Sequence, residues 1–377
     1  MPLIFSGINT KGSFGLVYIP PPPPPVNYLW TWGRNTYSQL GLTDTANRSS
    51  PTQVGSLATW SKIAASAYHS MAAKTDGTLW SWGGSNNTGH LGLGDTNDRS
   101  SPVQVGALTN WLTIAAGYNH SMAITTDGAL WTWGYGNGGR LGLGNTTNYS
   151  SPKQVGALTN WSKISTFGDG PTLAIKTDGT MWAWGSNSYG NLGVGNTTAY
   201  SSPKQIGSLT TWSNIASGYS LGMAVKTDGT LWTWGGNGNG QLGLGDTTNR
   251  SSPVQVGALT NWLSIAAGYN LGIAAKTDGT LWSWGKNNMG QLGLGDTSSR
   301  SSPVQVGALT NWLTIAAGYN RGLAIKTNGT LWSWGNNFAG PLGLGNSTYY
   351  SSPVQVGALT NWSSVKTGQR HTIAITA

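Results

Sequence analysis

A tetrapeptide of the form Trp-x-Trp-Gly recurs seven times in this chain, beginning at Trp30, Trp80, Trp131, Trp182, Trp232, Trp282 and Trp332. The interval is 50 or 51 residues throughout. Two other marks keep the same period: a Ser-Pro, with prolines at 51, 102, 152, 203, 253, 303 and 353, and a further tryptophan at 60, 111, 161, 212, 262, 312 and 362. Three tryptophans in each of seven units account for all 21 in the 377 residues. A period of this length, kept along the chain, marks a repeat architecture in which each unit buries its apolar faces against its neighbours.

Inside one unit (301–345) the apolar stretches are short: PVQVG, WLTIAAG, GLAIK and LWSWG. Clusters of Gly, Asn, Asp and Ser separate them, so they read as strands. Lys-Thr-Asp-Gly-Thr between GLAIK and LWSWG is a tight-hairpin signal, with glycine at a position needing positive φ. Four strands per unit, seven times over, predict an all-β fold, a seven-bladed β-propeller. The chain enters its first unit at the third strand, LWTWG (29–33), and ends after a second strand, HTIAIT (371–376). The last blade must therefore combine strands near 364–375 with strands at 29–32 and about 52–55, which closes the ring and leaves no edge. Three parts follow: an apolar arm (1–19), a spacer (20–28) and the propeller (29–377).

Composition removes most chemistry. Charged residues are 8% of the chain, against roughly 25% in an ordinary domain. There is no Cys and no Glu, and eight of the 11 Asp recur in repeated turns or loop pairs. The four histidines, His69, His90, His120 and His371, are scattered, and no Ser-His-Asp or His-x-His grouping forms. Gly134–Gly139 and Gly238–Gly243 match G-x-G-x-x-G, but each precedes a polar loop where a dinucleotide site needs a helix. The expectation is no catalytic residue, no metal site and no cofactor. The net charge of +9 is spread over all blades without a basic run, which argues against a nucleic-acid footprint. No stretch of 18 apolar residues spans a membrane.

The pattern G-Y-N-H-S-M-A-I…D-G…L-W-T-W-G…L-G-L-G, from Gly117 to Gly144, resembles the regulator-of-chromosome-condensation repeat, and the resemblance extends over residues 29–377. It implies the propeller fold and an interaction surface. The family's members include a small-GTPase exchange factor, ubiquitin-ligase modules and a β-lactamase inhibitor, so it does not imply one activity. The family's histidine falls at His69, His120 and His371; Leu221, Leu271 and Arg321 replace it, and Gly170-Pro171 interrupt the third repeat. A residue replaceable within one ring reads as structural.

The tryptophans keep a fixed register, which favours packing between blades over sugar binding. The first two of each unit share a strand face and are expected in the inter-blade core, with the third sealing the base of the blade. Asp44, Asp95, Asp246 and Asp296 each precede an arginine by four residues (Arg48, Arg99, Arg250, Arg300). In the other three repeats the pair becomes Asn145–Tyr149, Asn196–Tyr200 and Asn346–Tyr350. The concerted swap predicts a local bridge that shapes the loop. Lys74, Lys176, Lys226 and Lys276 accompany Asp76, Asp178, Asp228 and Asp278 at the hairpins.

Antiparallel strands send alternate loops to opposite ends of the ring. The KTDGT hairpin and the VGALTNW connection, which share one end, scarcely change. The other end varies: units 251–300 and 301–350 are identical at 36 of 50 positions, and nine of the 14 differences lie between Lys286 and Arg300. Partner-binding candidates on that end are Tyr37, His90, Tyr135, Arg140, Tyr189, Lys286, Met289 and Phe338, with Arg321 and Arg370 in adjoining loops. Drift in unconstrained loops is the competing explanation. At the opposite end, Leu3, Ile4, Phe5, Phe14, Leu16, Val17 and Ile19 form an apolar arm before six prolines (20–25), a stiff spacer of about 19 Å. Arm, spacer and head predict a non-enzymatic virion component (phage tail, fibre or capsid surface). The arm would join other structural proteins, and the propeller would meet a protein or glycan at the virion or cell surface. Two alternatives stay open: a cytoplasmic scaffold or small-GTPase exchange factor of the regulator-of-chromosome-condensation type, and a lectin-like adhesin.

Overall fold

The computed structural model describes residues 27–377, and the arm and most of the proline spacer lie outside them. The described chain forms 28 strands, β1–β28 in order, in seven four-stranded antiparallel sheets. Blade 1 is β3 (Trp60–Ala65), β4 (His69–Lys74), β5 (Leu79–Gly83) and β6 (Arg99–Gln104), in that order from the axis outward. Blades 2 to 6 repeat this plan. Blade 7 joins the two ends of the chain: β27 (Trp362–Thr367) and β28 (His371–Thr376) pair with β1 (Leu29–Gly33), which pairs with β2 (Arg48–Gln53). The register runs Leu29 opposite Ile375 to Gly33 opposite His371. The ring thus closes as its repeat phase requires. Innermost strands are rich in small residues and surround an axial channel of about 580 Å³.

The repeated residues explain why blades stack. The second tryptophan of each pair, such as Trp82, is fully buried and donates its indole N–H to a carbonyl of the preceding blade, Gln39 O at 3.1 Å. Gly41 lies on that indole: a Cβ there would stand 2.6 Å from Nε1, and its φ is +71°. Each L-G-L-G loop therefore needs its first glycine because the next blade's tryptophan occupies the space. The third tryptophan, Trp60, is buried and meets Trp80 and Trp82 edge to face at 6.2 and 6.4 Å, an arrangement aromatic quadrupoles favour.

The first tryptophan departs from expectation, because it is only half-buried. The hairpin covers its exposed side. Lys74 Nζ sits 3.7 Å from the Trp80 ring centroid, and Lys176, Lys226, Lys276 and Lys326 do the same in their blades. Asp76 instead accepts from the Thr78 amide and hydroxyl, and Thr78 accepts from the Trp80 indole. The hairpin lysine is thus a lid on tryptophan, and the aspartate is held by threonine.

The outer loops carry the bridges. Arg48–Asp44, Arg99–Asp95, Arg250–Asp246 and Arg300–Asp296 lie at 2.5–2.6 Å. In the remaining blades Asn145, Asn196 and Asn346 donate to the phenol oxygens of Tyr149, Tyr200 and Tyr350 at 3.1–3.3 Å. Charge is dispensable where both partners change together. The double substitution Asp44→Asn/Arg48→Tyr should leave the chemical unfolding midpoint unchanged within about 0.5 kcal/mol. A larger loss would mean the ion pair does more than shape the loop.

Candidate functional site

The described residues begin at the hairpin end, where Asn27 donates to Ala58 O at 3.1 Å. The opposite end gathers the divergent loops, tied in pairs by bonds such as Arg34 N–H to Arg370 O (2.9 Å) and Gly84 N–H to Tyr68 O (3.1 Å). Not every candidate there reaches the surface. Tyr189 is 51% exposed and Phe338 59%; Arg370 is exposed, with its guanidinium over the Phe338 ring at 5.6 Å. Tyr37, Tyr135, Lys286 and Met289 are half-buried. Tyr37 carries the Arg34 guanidinium at 5.4 Å, and Tyr135 carries that of Arg140 at 4.9 Å.

Three candidates are corrected by burial. His90 is wholly buried, its ring 4.6 Å from that of His69. Arg140 is mostly buried and pairs with Asp169 at 2.6 Å. Its carbonyl also accepts the Trp184 indole N–H. Arg321 is 1% exposed and reaches into blade 7, donating to Gln369 O, Gly368 O and His371 O at 2.8–2.9 Å and to the Thr367 hydroxyl. Their place in the divergent segments marked these residues as candidates, but their side chains turn inward and are buried.

The family histidines do the same work. A hydrogen bond joins His371 Nε2 to Ser70 Oγ (2.8 Å), His69 Nε2 to Ser121 Oγ (2.8 Å) and His120 Nε2 to Thr166 Oγ1 (3.1 Å), each across a blade boundary. Ser70 donates to Gln39 O and Ser121 to His90 O, so each serine accepts from its histidine. That assigns the neutral ring with hydrogen on Nε2. Among the described residues Nδ1 of His120 and of His371 has no partner, so a second proton there would be buried without an acceptor. Burial lowers His90 to about 4, and His120 and His371 to about 3; it also holds His69 well below the usual histidine range.

The divergent end also holds a feature not foreseen. Seven residues past each inner-strand tryptophan the chain reaches the axis. Tyr118, Tyr219, Tyr269 and Tyr319 occupy this place, and blade 3, whose loop is one residue longer, adds Phe167 and Asp169. With Ala67 and Gln369 they rim a cavity of about 200 Å³ at the channel mouth. The signal was the Gly-Tyr inside the repeat, which does not stand out from the other recurring residues. At the opposite end Leu57, Leu108 and their five equivalents in the VGALTNW loops are 41–51% exposed, one per blade. Their invariance had concealed that they face solvent.

The RCC1-like domain profile matches residues 26–320, and regulator of chromosome condensation (RCC1) repeats match 328–375 and 313–340. The ultraviolet-B receptor UVR8 of Arabidopsis thaliana is 32% identical over 182 residues, 47% of this chain and 41% of that protein. The probable E3 ubiquitin-protein ligase HERC3 of Homo sapiens is 30% identical over 185 residues, 47% of this chain and 17% of the ligase. The match spans less than half the length of either relative. Among solved structures, Prp20p from Saccharomyces cerevisiae aligns with a TM-score of 0.83 at 23% identity, covering 93% of this chain and 91% of its own. Human WBSCR16 aligns with a TM-score of 0.81 at 19% identity, covering 93% and 98%. These two likenesses speak for the fold. With seven Trp-x-Trp-Gly blades, a ring closed between its two ends and a profile match over most of its length, the chain belongs to the RCC1-like domain family.

Proposed function

We infer that this chain is a non-catalytic interaction propeller that engages a protein partner through its divergent end. The observation that carries the reading is a contrast within one molecule. Sheets, hairpins and VGALTNW loops vary little, while the loops at one end diverge and hold exposed Tyr189, Phe338 and Arg370. Aromatic and arginine side chains are those that most often dominate binding energy at interfaces.

The relatives support a protein partner. One is a receptor, another a ubiquitin-protein ligase, and Prp20p is described with its binding to Gsp1p and histones. None of them favours a virion component, so the alternative of an intracellular scaffold or exchange module takes precedence. The expected arm and its residues (Leu3 to Ile19) lie outside the described residues and do not enter this reading. No helix among the described residues is long and apolar enough to cross a membrane.

The test is affinity capture from the source cells with wild-type protein and with the triple variant Tyr189→Ala/Phe338→Ala/Arg370→Ala, quantified by mass spectrometry. These side chains are exposed, so stability should stay within about 0.5 kcal/mol of wild type. A specific protein retained by wild type and depleted by the variant is the expected result. Equal capture by both would refute the assignment of this end. Glycan-array binding without a protein partner would favour the adhesin, and accelerated nucleotide release from a small GTPase would specify the exchange-factor form.

A further inference from the structure

We propose that the axial mouth of the divergent end is a socket for one aromatic side chain carried by an acidic loop of the partner protein. This rests on the reading that the divergent end binds protein, and it names the anchor.

The socket is a gap in an aromatic fan. Tyr219 and Tyr269 have ring centroids 4.5 Å apart, inclined at 33°; Tyr269 and Tyr319 are 4.2 Å apart, inclined at 38°. Each blade rotates the next ring about the axis, so the rings lie against one another like leaves of a fan. In blades 7 and 1 the sequence stops supplying rings and gives Gln369 and Ala67. Among the described residues no ring covers the far side of Tyr319. The cavity of about 200 Å³ reaches this gap. That is the space of roughly six or seven waters, room for one large side chain. Because four other blades carry tyrosine at this register, the repeat tolerates a ring there. Its absence in two adjacent blades opens the socket.

The guest's shape and charge follow from the walls. The uncovered face of Tyr319 favours a stacked or edge-on aromatic guest. Burial raises Tyr118 and Tyr219, so the phenols stay neutral and able to donate. A path of aromatic contact leads outward over the same blades. Tyr118 and Tyr68 are joined by their hydroxyls at 3.1 Å, and Tyr37 meets Tyr68 at 4.8 Å. Beside this path stand Arg34 and Arg370, neither with a carboxylate within salt-bridge distance among the described residues. Of the nearby acids, Asp169 on the far wall is paired with Arg140, and Asp98 accepts the Asn86 amide. Asp98 keeps its charge, so two arginines stand against one aspartate and the rim is net positive where the gap opens, which selects acidic residues next to the inserted ring and works against a basic guest.

The experiment is selection of a random peptide display library on the full chain, followed by anisotropy measurements with labelled peptides. The expected consensus is one aromatic residue flanked by Asp or Glu. Affinity should fall about tenfold or more in Ala67→Tyr, which fills the gap with the residue other blades use, and in Arg34→Ala/Arg370→Ala. Gln369→Tyr closes the gap from the other blade, so the test does not depend on one variant folding; unfolding midpoints check both. Leu209→Ser, at the opposite end, should change nothing. A basic or aromatic-free consensus, no enriched peptide, or undiminished binding by Ala67→Tyr and Gln369→Tyr overturns the socket. Peptides lost in Tyr189→Ala/Phe338→Ala but indifferent to Ala67→Tyr would overturn it while leaving the interaction reading intact. Peptides lost only in Leu209→Ser would remove both.

Discussion

Lowering the pH from 7 to 5 is expected to destabilise the propeller by several kcal/mol, in a range where aspartates stay ionised. The cause is four buried neutral histidines. In the unfolded chain each titrates near 6.5, whereas in the folded ring His90 titrates at about 4, His120 and His371 at about 3, and His69 well below its usual range. The unfolded state therefore binds more protons below pH 6.5. Stability is fully present above that value and is lost progressively as the pH falls toward the folded-state values. Each group contributes about 1.4 kcal/mol per pH unit, hence about 2 kcal/mol at pH 5 and of the order of 6 kcal/mol for His90, His120 and His371 together, with His69 acting in the same direction. The aspartates with lowered values, such as Asp76 and Asp95, add their own loss mainly below the ordinary carboxylate value of 3.8. Denaturant midpoints at pH 7, 6 and 5 measure the slope. The variant His120→Leu, which places the leucine of blades 4 and 5 in blade 2, should be less stable at pH 7 and should shed about a quarter of the slope. A midpoint flat from pH 7 to 5 would show that the histidines are not held neutral.

Removing Arg321 is expected to cost about 2–3 kcal/mol, more than any exposed arginine, because four hydrogen bonds and the packing of a fully buried side chain across a blade joint are lost together. The reason lies in the joint between blades 6 and 7. Elsewhere a backbone bond spans this joint: Tyr219 N–H donates to Gly268 O, and Tyr269 N–H to Gly318 O. Among the described residues the corresponding bond from Tyr319 to Gly368 is absent, and the Arg321 guanidinium takes Gly368 O together with Gln369 O and His371 O. Burial lowers Arg321 to about 9, so it is charged at neutral pH. Arg321→Ala should shift the denaturant midpoint by the full amount. Arg321→His, restoring the residue three other blades use, has Thr372 of the next blade as a partner and should lose less than half as much. Equal loss in both variants would mean that volume, not hydrogen bonding, holds the joint.

The architecture was legible because its determinants are local and repeated. Trp-x-Trp-Gly, the KTDGT hairpin and the L-G-L-G loop each act within one blade or on the next, so a single unit read correctly is read seven times. The Asp–Arg and Asn–Tyr exchanges could be paired for the same reason, since the partners stand four residues apart. The candidate site was less legible. Arg321 and His90 look like surface residues in sequence, and only the loop path shows that they turn inward. The half-exposed first tryptophan was missed because alternation places Trp80 and Trp82 on one face without saying how far the neighbouring blade extends. The aromatic mouth was hidden by its own regularity. Tyrosine at this register in four of seven blades carries no signal until the ring brings those tyrosines to one axis, and then the blades that lack one become the informative ones.

Closure between β1 and β28 has a consequence for how the protein is made. β1 leaves the ribosome among the first strands but has its inner neighbour among the last, 346 residues away at the Trp30–Thr376 contact. Until Trp362–Thr376 is synthesised, one edge of β1 and the open flanks of blades 1 and 6 stay bare. The nascent ring thus stays an open arc with a sticky seam until β27 and β28 emerge, and their arrival decides whether the arc closes on itself or joins another unfinished copy.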